Sequence, residues 1–242
     1  MMLVDSIYRI QIFIIFFLSI IFLSCSGSKK SGKSTWVPLF NGTSTQHWRS
    51  VNSDDFPKSG WRIDNNILVL DSGRKGGDII TREKFGEFEL ELEYNLTKYA
   101  NTGVKYFVDL IQRPNSKRIT GIGFEYQIID DHNYPAEKTK NDPKLLSGAL
   151  YELYGPTANK NLNPPGSWNS IKIIAKNNKV EHWLNGKMVL QYQRDSDDLK
   201  QKIQKSKFVE FPGFGLSPEG YILIQDYGNM TQFKNIRIKK YD

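Results

Sequence analysis

A strict alternation of apolar and acidic side chains is the feature that most limits the fold of this chain. Residues 87–94 read EFELELEY, so glutamates hold one parity while phenylalanine, leucine and tyrosine hold the other. Successive side chains of a β-strand point to opposite faces, whereas a helix would scatter this pattern around its axis. The segment therefore predicts a β-strand with one face buried in a core.

The same two-residue period recurs along the chain beyond residue 36. We expect further strands at residues 67–70, 104–110, 123–129, 170–175, 180–184, 187–193, 221–225 and 232–239. Asn-Asn at 65–66 and 177–178 and Asn-Gly at 185–186 predict tight hairpin turns, because these residues tolerate positive φ. Only residues 197–204, DDLKQKIQ, favour a short helix. Many strands without crossover helices predict an all-β protein, an antiparallel two-sheet β-sandwich or jelly roll.

The N-terminal segment has the composition of an export signal. Residues 12–23 read IFIIFFLSIIFL, shorter than the roughly 20 residues that span a bilayer but suited to the core of a signal peptide. Cys25, the single cysteine, follows this run at a position that resembles the lipidated cysteine of a bacterial lipoprotein; an ordinary signal peptide or short anchor is the alternative. We expect a lipoprotein-type signal peptide over 1–25, a flexible tether over 26–35 and one domain over 36–242. The protein would be exported to the periplasm or outer membrane as a lipid-anchored protein.

The chain carries a formal charge of +7, from 33 Lys and Arg against 26 Asp and Glu. A basic excess can indicate nucleic-acid binding. Here part of the excess lies in two terminal runs, and the sequence has no basic stripe interleaved with stacking aromatics. We therefore expect no nucleic-acid partner, and no membrane contact other than the lipid anchor.

Polar residues on the outward parity of the predicted strands are candidates for a ligand-binding groove. In the strand VKYFV the valines and the tyrosine are expected in the core, which leaves Lys105 and Phe107 outside. The strand FEYQI places Glu125 and Gln127 outside in the same way. Polar residues at strand ends add three candidates: His182, Gln225 and Asp226. A solvated strand surface is the alternative for any one of them, and the set favours a groove.

Nine short motifs in a fixed order resemble a known family across nearly the whole predicted domain. They are Trp36-Val37-Pro38-Leu39-Phe40-Asn41-Gly42 with Trp48, Asn101-Thr102-Gly103-Val104-Lys105, Glu125-Tyr126-Gln127-Ile128-Ile129-Asp130, Gly148-Ala149-Leu150-Tyr151, Trp168-Asn169, Glu181-His182-Trp183-Leu184-Asn185-Gly186, Ser206-Lys207-Phe208, Gly220 with Gln225-Asp226-Tyr227-Gly228, and Phe233-Lys234-Asn235-Ile236-Arg237. The family is that of the 3-keto-disaccharide hydrolase domains, formerly a domain of unknown function. Thr102 stands where Ser is usual in this family, and Tyr227 where His is common.

The resemblance implies a concanavalin A-like jelly roll and a carbohydrate substrate oxidised to a ketone at C3. A C3 ketone acidifies the hydrogen on C2, so a general base can remove it while the enolate is stabilised. The C1 substituent then leaves by elimination and water adds back, which makes the net reaction a hydrolysis. Such a site needs one base and one group that stabilises the enolate.

The outward residues can be assigned roles in this chemistry. Glu125 is the predicted base and Lys105 the predicted cation at the ketone or enolate oxygen, with His182 as an alternative base. Burial would raise the pKa of Glu125, whereas Lys105 would lower it. Gln127 and Gln225 are the predicted amides for sugar hydroxyls. The other predicted substrate-binding residues are Asn101, Phe107, Asp226 and Trp48.

A divalent metal is a further candidate, because Asp130, Asp131 and His132 concentrate oxygen and imidazole ligands after the Glu125 strand. Their spacing fits neither an EF-hand loop nor a His-Glu-x-x-His zinc site. A bound metal would act as the Lewis acid at the ketone in place of Lys105. A solvated acidic turn is the alternative, and no other cofactor is expected.

Three other functions remain open at this point. A carbohydrate-binding module of the same fold would use Lys105 and Glu125 only as hydrogen-bonding groups; a cross-strand ion pair on an open sheet is the structural alternative for these two residues. An ordinary glycosidase would pair Glu125 with a second carboxylate, Glu93 or Asp226, and would cleave unoxidised glycosides. A purely structural surface lipoprotein would bind and cleave neither kind of sugar.

Overall fold

The computed structural model describes residues 35–73, 75–112, 117–139 and 142–241. The predicted signal peptide, Cys25 with its predicted lipid, and almost all of the predicted tether lie outside these ranges. Within them, no helix combines the length and the apolar character needed to cross a bilayer.

The described residues form thirteen β-strands. The first seven are β1 (Trp36–Phe40), β2 (Trp48–Ser50), β3 (Trp61–Asp64), β4 (Ile67–Leu70), β5 (Ile79–Thr81), β6 (Phe88–Leu96) and β7 (Asn101–Gln112). The other six are β8 (Ile119–Ile129), β9 (Trp168–Lys176), β10 (Lys179–Leu184), β11 (Lys187–Gln193), β12 (Tyr221–Ile224) and β13 (Thr231–Lys240). The connections hold the helices α1 (Ala136–Thr139) and α2 (Asp197–Gln204) and the 3₁₀ turns Pro143–Leu145 and Lys207–Glu210.

These strands form two antiparallel sheets. The eight-stranded sheet has the order β11-β10-β9-β6-β13-β4-β3, and β1 also pairs with β13. The five-stranded sheet has the order β2-β5-β12-β7-β8. The predicted fold class, an all-β antiparallel two-sheet sandwich of the concanavalin A-like jelly-roll type, is confirmed.

Every predicted strand is present, and the largest shift of a single strand end is in β8, which begins at Ile119 rather than at residue 123. The predicted hairpin turns form because Asn65, Asn177 and Asn185 adopt φ of 48°, 51° and 46°. The predicted helix is α2. The sequence does not predict β1, β2, β3 and β5, which have three to five residues each and show no strict alternation.

The hydrophobic core lies between the facing sides of the two sheets. Phe88, Leu90 and Tyr94 of β6 are fully buried, as the alternation predicts. Tyr106 of β7 and Tyr126 of β8 enter the same core from the five-stranded sheet and are also fully buried. Because side chains alternate along a regular strand, Lys105 before Tyr106, and Glu125 and Gln127 on either side of Tyr126, point to the outer face of the five-stranded sheet.

A β-bulge in β7 reverses the parity of the strand after Tyr106. Pairing with β8 is regular up to Tyr106 and shifts before Asp109. Phe107, with a φ of 51°, is buried beside Tyr106, with 5.7 Å between the ring centroids. Val108 joins a separate buried cluster with Val51, Ile80 and Leu223. The predictions that Phe107 faces outward and Val108 faces the main core are therefore wrong, because the extra residue of a bulge turns the following side chains over.

Candidate active site

A cavity of about 410 Å³ opens on the outer face of the five-stranded sheet. Its polar lining comes from β7, β8 and the segment after β12: Asn101, Lys105, Glu125, Gln127, Gln225 and Tyr227. A further wall comes from the loop that holds Lys207, Phe208 and Phe211. Five of these six residues are predicted site residues, and the structure brings them together: Asn101, Lys105, Glu125, Gln127 and Gln225. Tyr227 is the sixth.

Lys105 and Glu125 form the centre of this cavity. They are direct cross-strand partners on β7 and β8, upstream of the bulge, where the register is regular. Lys105 Nζ lies 3.7 Å from Glu125 Oε2, and the two side chains are only 15% and 10% exposed. An ion pair with so little solvent contact is screened weakly, so each charge strongly affects the other.

The environment of Glu125 favours a basic carboxylate. Burial raises the pKa of Glu125 above its ordinary value, although Lys105 and Lys207 act in the opposite direction and the charge of Asp78 adds to the increase. A carboxylate with a raised pKa is a stronger base when it is ionised. The cavity thus combines a proton acceptor with an ammonium group that can neutralise a developing negative charge.

Asp78 is a second carboxylate close to this pair, and no pattern in the sequence predicts it. Its carboxylate accepts a hydrogen bond from the N–H of Asp226 at 2.9 Å. Burial raises the pKa of Asp78, while the nearby Lys105 opposes the increase. A single acidic residue before the three-residue strand β5 carries no periodic signal that could identify it. Asp78 is not among the cavity-lining residues, and it is coupled to Lys105 and Glu125 through its charge.

Gly103 makes room for the carboxylate of Glu125. A Cβ at position 103 would lie 2.5 Å from Glu125 Oε1 and 2.9 Å from Glu125 Cδ. Gly103 lies on the outward parity of β7, two residues before Lys105, and pairs with Gln127 of β8. The carboxylate of Glu125 therefore occupies the space that a side chain at residue 103 would fill.

Gly103→Ala would displace the carboxylate of Glu125, the predicted base, and is expected to lower kcat by about tenfold to 100-fold, the effect of moving a reacting group by about 1 Å. The φ of Gly103 is not in the positive range, so alanine fits the backbone and the fold should persist. Gly86→Ala is the matched control, because a Cβ there meets only Pro218 O at 3.2 Å and the side chain of Glu219 at 3.7 Å. Unchanged kcat in Gly103→Ala, with an unchanged melting temperature, would contradict this role of Gly103.

Gln127 offers a buried acceptor to a ligand. Its Nε2 donates to Leu145 O at 3.2 Å and to Asn101 Oδ1 at 3.4 Å. Its Oε1 is buried, and within the described ranges no donor lies at hydrogen-bond distance from it. A buried carbonyl without a partner is costly, and a hydroxyl of a bound molecule would satisfy it. Gln225 reaches the cavity from the neighbouring strand end, where its N–H donates to Gly103 O at 3.0 Å.

The wall opposite the sheet is built by residues that the analysis of strands does not reveal. Lys207 forms an ion pair with Glu152 at 2.7 Å, and its ammonium lies 4.4 Å from the ring centroid of Tyr151. Phe208 and Phe214 stack with 4.2 Å between ring centroids. The sequence signals for this wall are two motifs within the family resemblance, Gly148-Ala149-Leu150-Tyr151 and Ser206-Lys207-Phe208.

Three predicted substrate contacts lie elsewhere or have other partners. Trp48 is fully buried, and its indole N–H donates to Leu39 O at 2.9 Å, so it belongs to the core. Phe107 is in the core because of the bulge. The carboxylate of Asp226 accepts from the N–H groups of Gly77 at 2.9 Å and Gly228 at 3.0 Å, and it stabilises two loops. The predictions that these residues line the groove are wrong.

His182 does not reach the cavity either. Its ring is fully buried between the sheets, where Nδ1–H donates to Gly148 O at 3.0 Å and Nε2 accepts from the Tyr106 hydroxyl at 2.7 Å. Both nitrogens are therefore used within the core by the neutral imidazole. The alternative in which His182 is the catalytic base is wrong, because a substrate cannot approach it.

Burial lowers the pKa of His182 to about 4, from 6.5 in the unfolded chain. Between these values the unfolded chain binds the extra proton, so His182 favours folding fully above pH 6.5 and progressively less as the pH falls to 4. We expect the free energy of unfolding to lose about 3 kcal/mol from this residue by pH 4. Chemical denaturation at several pH values should show a weaker acid dependence in His182→Asn than in wild type. His132→Asn, at an exposed histidine, is the control. If the free energy of unfolding of His182→Asn depends on pH as that of wild type does, His182 does not contribute to the acid sensitivity.

The predicted metal ligands take part in loop hydrogen bonds. Asp130 accepts from the N–H groups of Tyr99 at 3.0 Å and Asn133 at 3.1 Å, and Asp131 pairs with Lys160 at 2.6 Å. Over residues 35–73, 75–112, 117–139 and 142–241, no group of three His, Cys, Asp or Glu side chains is arranged to hold a metal ion. Asp130, Asp131 and His132 therefore form a hydrogen-bonded turn in this structure.

Known proteins resemble this chain over most of its length. Residues 35–239 match the 3-keto-alpha-glucoside-1,2-lyase-like domain. A Bacteroides thetaiotaomicron protein named 3-keto-disaccharide hydrolase is 31% identical over 233 residues, which cover 86% of this chain and 79% of the relative. A crystal structure of a Parabacteroides distasonis protein assigned as a glycosyl hydrolase has 34% identity and a TM-score of 0.74, over 86% of this chain and 94% of that one.

A second Parabacteroides distasonis structure supports the same fold, with 24% identity and a TM-score of 0.63 over 86% of this chain and all of that one. The predicted family resemblance, which rested on nine motifs, is thus confirmed by the match over residues 35–239. The chain belongs to the 3-keto-alpha-glucoside-1,2-lyase-like domain family and is a glycoside hydrolase.

Proposed function

We propose that this hydrolase acts on glycosides whose sugar has been oxidised to a ketone at C3. The reaction begins with removal of the C2 proton, continues with elimination of the C1 substituent, and ends with addition of water. The family of the domain and the name of the Bacteroides thetaiotaomicron relative support the substrate class. The Lys105–Glu125 pair, buried in one cavity at 3.7 Å, is the observation that supports the chemistry.

Glu125 and Lys105 divide the first step between them. The Glu125 carboxylate takes the C2 proton, and the electrons of the C2–H bond form the C2–C3 double bond of an enolate. The Lys105 ammonium stabilises the negative charge on the C3 oxygen, in a site with little water to screen it. The enolate then re-forms the ketone and expels the glycosidic oxygen at C1, which takes the proton held by Glu125 and so regenerates the carboxylate. Water adds across the resulting C1–C2 double bond, with its oxygen at C1 and a proton at C2.

The two carboxylates predicted as partners of Glu125 in an ordinary glycosidase, Glu93 and Asp226, are not positioned for that mechanism. Glu93 lies on β6 of the other sheet, where it pairs with Lys234 at 3.4 Å and accepts from Asn235 Nδ2 at 2.6 Å. Asp226 is held by two backbone N–H groups outside the cavity lining. Neither carboxylate therefore faces Glu125 across a substrate site, which that mechanism requires.

The proposal is tested by incubating the purified protein with a 3-keto-glucoside and, separately, with the corresponding unoxidised glucoside. We expect release of the C1 substituent from the oxidised sugar only, because the C2 hydrogen is not acidic without the ketone. Cleavage of the unoxidised glycoside would indicate a two-carboxylate glycosidase. Binding without cleavage of either sugar would indicate a carbohydrate-binding module and would overturn the proposal.

We also propose that the enzyme is exported and anchored by a lipid on Cys25. The sequence pattern of residues 1–35 supports this location. In cells grown with a labelled fatty acid, the wild-type protein is expected to carry the label and Cys25→Ala to lack it. Label that persists in Cys25→Ala would contradict the anchor.

A further inference from the structure

A second cavity lies beside the active-site cavity and has a different chemical character. It has a volume of about 420 Å³. Its walls include Ile111, Ile122, Phe211, Pro212 and Phe214. Ile122, Phe211 and Phe214 also line the active-site cavity, so the two spaces share a wall. A molecule that extends from Glu125 past this wall would enter mainly apolar surroundings.

The shared wall is held in place by interactions on its far side. Phe214 packs edge-on against Phe124 at 5.2 Å between ring centroids. Arg194 Nη2 donates to Gly215 O at 2.8 Å and to Ser217 O at 2.7 Å, which fixes the chain just after Phe214. Gly215 permits this packing, since a Cβ there would overlap the Phe124 ring. The apolar cavity is thus formed before any ligand binds.

The two cavities suit the two halves of one glycoside. The active-site cavity presents amide, ammonium and carboxylate groups, which match the hydroxyls and ketone of a sugar. The second cavity presents isoleucine, proline and aromatic side chains, with acidic groups only at Asp109 and Glu210. Asp109 is already paired with Lys84 at 3.7 Å. Few groups there can replace the water lost by the hydroxyls of a second sugar, whereas an aromatic ring would gain from burial.

We propose that the second cavity binds the C1 substituent and selects an apolar, preferably aromatic, leaving group. This inference rests on the proposed function, because it assumes that the oxidised sugar lies at Lys105 and Glu125. The favoured substrates are then 3-keto-glycosides of aromatic alcohols rather than 3-keto-disaccharides. The reaction releases the alcohol into the apolar cavity while the sugar remains beside Glu125.

Ile111→Ser tests the proposal, because Ile111 lines the second cavity and not the active-site cavity. We expect kcat/KM for phenyl 3-keto-α-glucoside to fall about tenfold, the usual effect of one apolar contact. For 3-keto-trehalose the change should stay within about twofold, since a sugar gains little from Ile111. Ile111→Trp, which fills the cavity, should give the same selective loss. Ile63→Ser is the matched control, because Ile63 is exposed on the other sheet.

Equilibrium titration with 2-naphthol supplies a readout that needs no turnover. We expect Ile111→Ser to weaken naphthol binding about tenfold and Ile63→Ser to leave it unchanged. Equal losses on both keto substrates, or naphthol binding that is insensitive to Ile111, would overturn the inference and leave the proposed function in place. Failure of all four proteins to cleave either keto substrate would overturn the proposed function and this inference with it.

Discussion

Glu125→Gln is expected to lower kcat for a 3-keto-glycoside by about 100-fold or more, the usual contribution of a general base. The amide has nearly the shape of the carboxylate but cannot accept the C2 proton. Its carbonyl can still face Lys105, so the fold and substrate binding should change little. Turnover measured with saturating substrate, alongside the thermal unfolding midpoint, separates loss of chemistry from loss of structure.

Glu93→Gln is the matched control for this experiment. Glu93 is also a strand glutamate paired with a lysine, but it lies on the eight-stranded sheet. Its kcat should equal that of wild type. A decrease of less than tenfold in Glu125→Gln would show that another group removes the proton, and the assignment of Glu125 would then be wrong.

Lys105→Met is expected to lower kcat by about 100-fold to 1,000-fold, as the loss of one electrostatic donor does in comparable sites. Methionine retains the length of the side chain but cannot stabilise the enolate oxygen. Lys105 also lowers the pKa of Glu125. Without Lys105 that pKa rises further, and the acidic limb of the kcat/KM profile, on which Glu125 ionises, should move to higher pH.

Lys172→Met provides the comparison, because Lys172 pairs with Glu89 and Glu91 at 3.0 and 2.9 Å on the eight-stranded sheet. Neither its kcat nor its pH profile should differ from those of wild type. If Lys105→Met keeps the wild-type acidic limb, the group that titrates there is not coupled to Lys105. The Lys105–Glu125 pair would then have no part in the chemistry.

The alternation of side chains along β7 and β8 predicts which residues face the centre of the site, because the register of the two strands is regular there. Lys105, Glu125 and Gln127 all lie upstream of the bulge in β7 or opposite its regular part. The prediction failed at Phe107, where the backbone adopts a φ of 51°. Phenylalanine does not favour that conformation, so no residue type in the sequence marks the bulge. At the bulge, Phe107 packs in the core against Arg194, whose Cζ lies 3.6 Å from the ring centroid and which is 87 residues away in the sequence.

Other errors arose from partners that are distant in the sequence. His182 looks like an outward polar residue, but its buried partner Tyr106 is 76 residues away and supplies the hydroxyl that makes burial tolerable. Trp48 lies next to turn-like residues, and Leu39 O satisfies its indole N–H inside the core. Asp78 becomes significant only because the fold brings it close to Lys105. Local patterns contain no information on such contacts.

Reaction in deuterium oxide tests the central chemical claim most directly. Glu125 is proposed to remove the C2 proton, and rehydration returns a proton from solvent to C2, so the released 3-keto sugar should carry deuterium at C2 from the first turnovers. The free 3-keto sugar, incubated in the same buffer without enzyme, measures spontaneous exchange. Mass spectrometry and NMR of early product should show one deuterium at C2 beyond that background. Product that retains its original hydrogen at C2 would contradict the proposed mechanism, in which that hydrogen leaves with the released alcohol and solvent supplies its replacement.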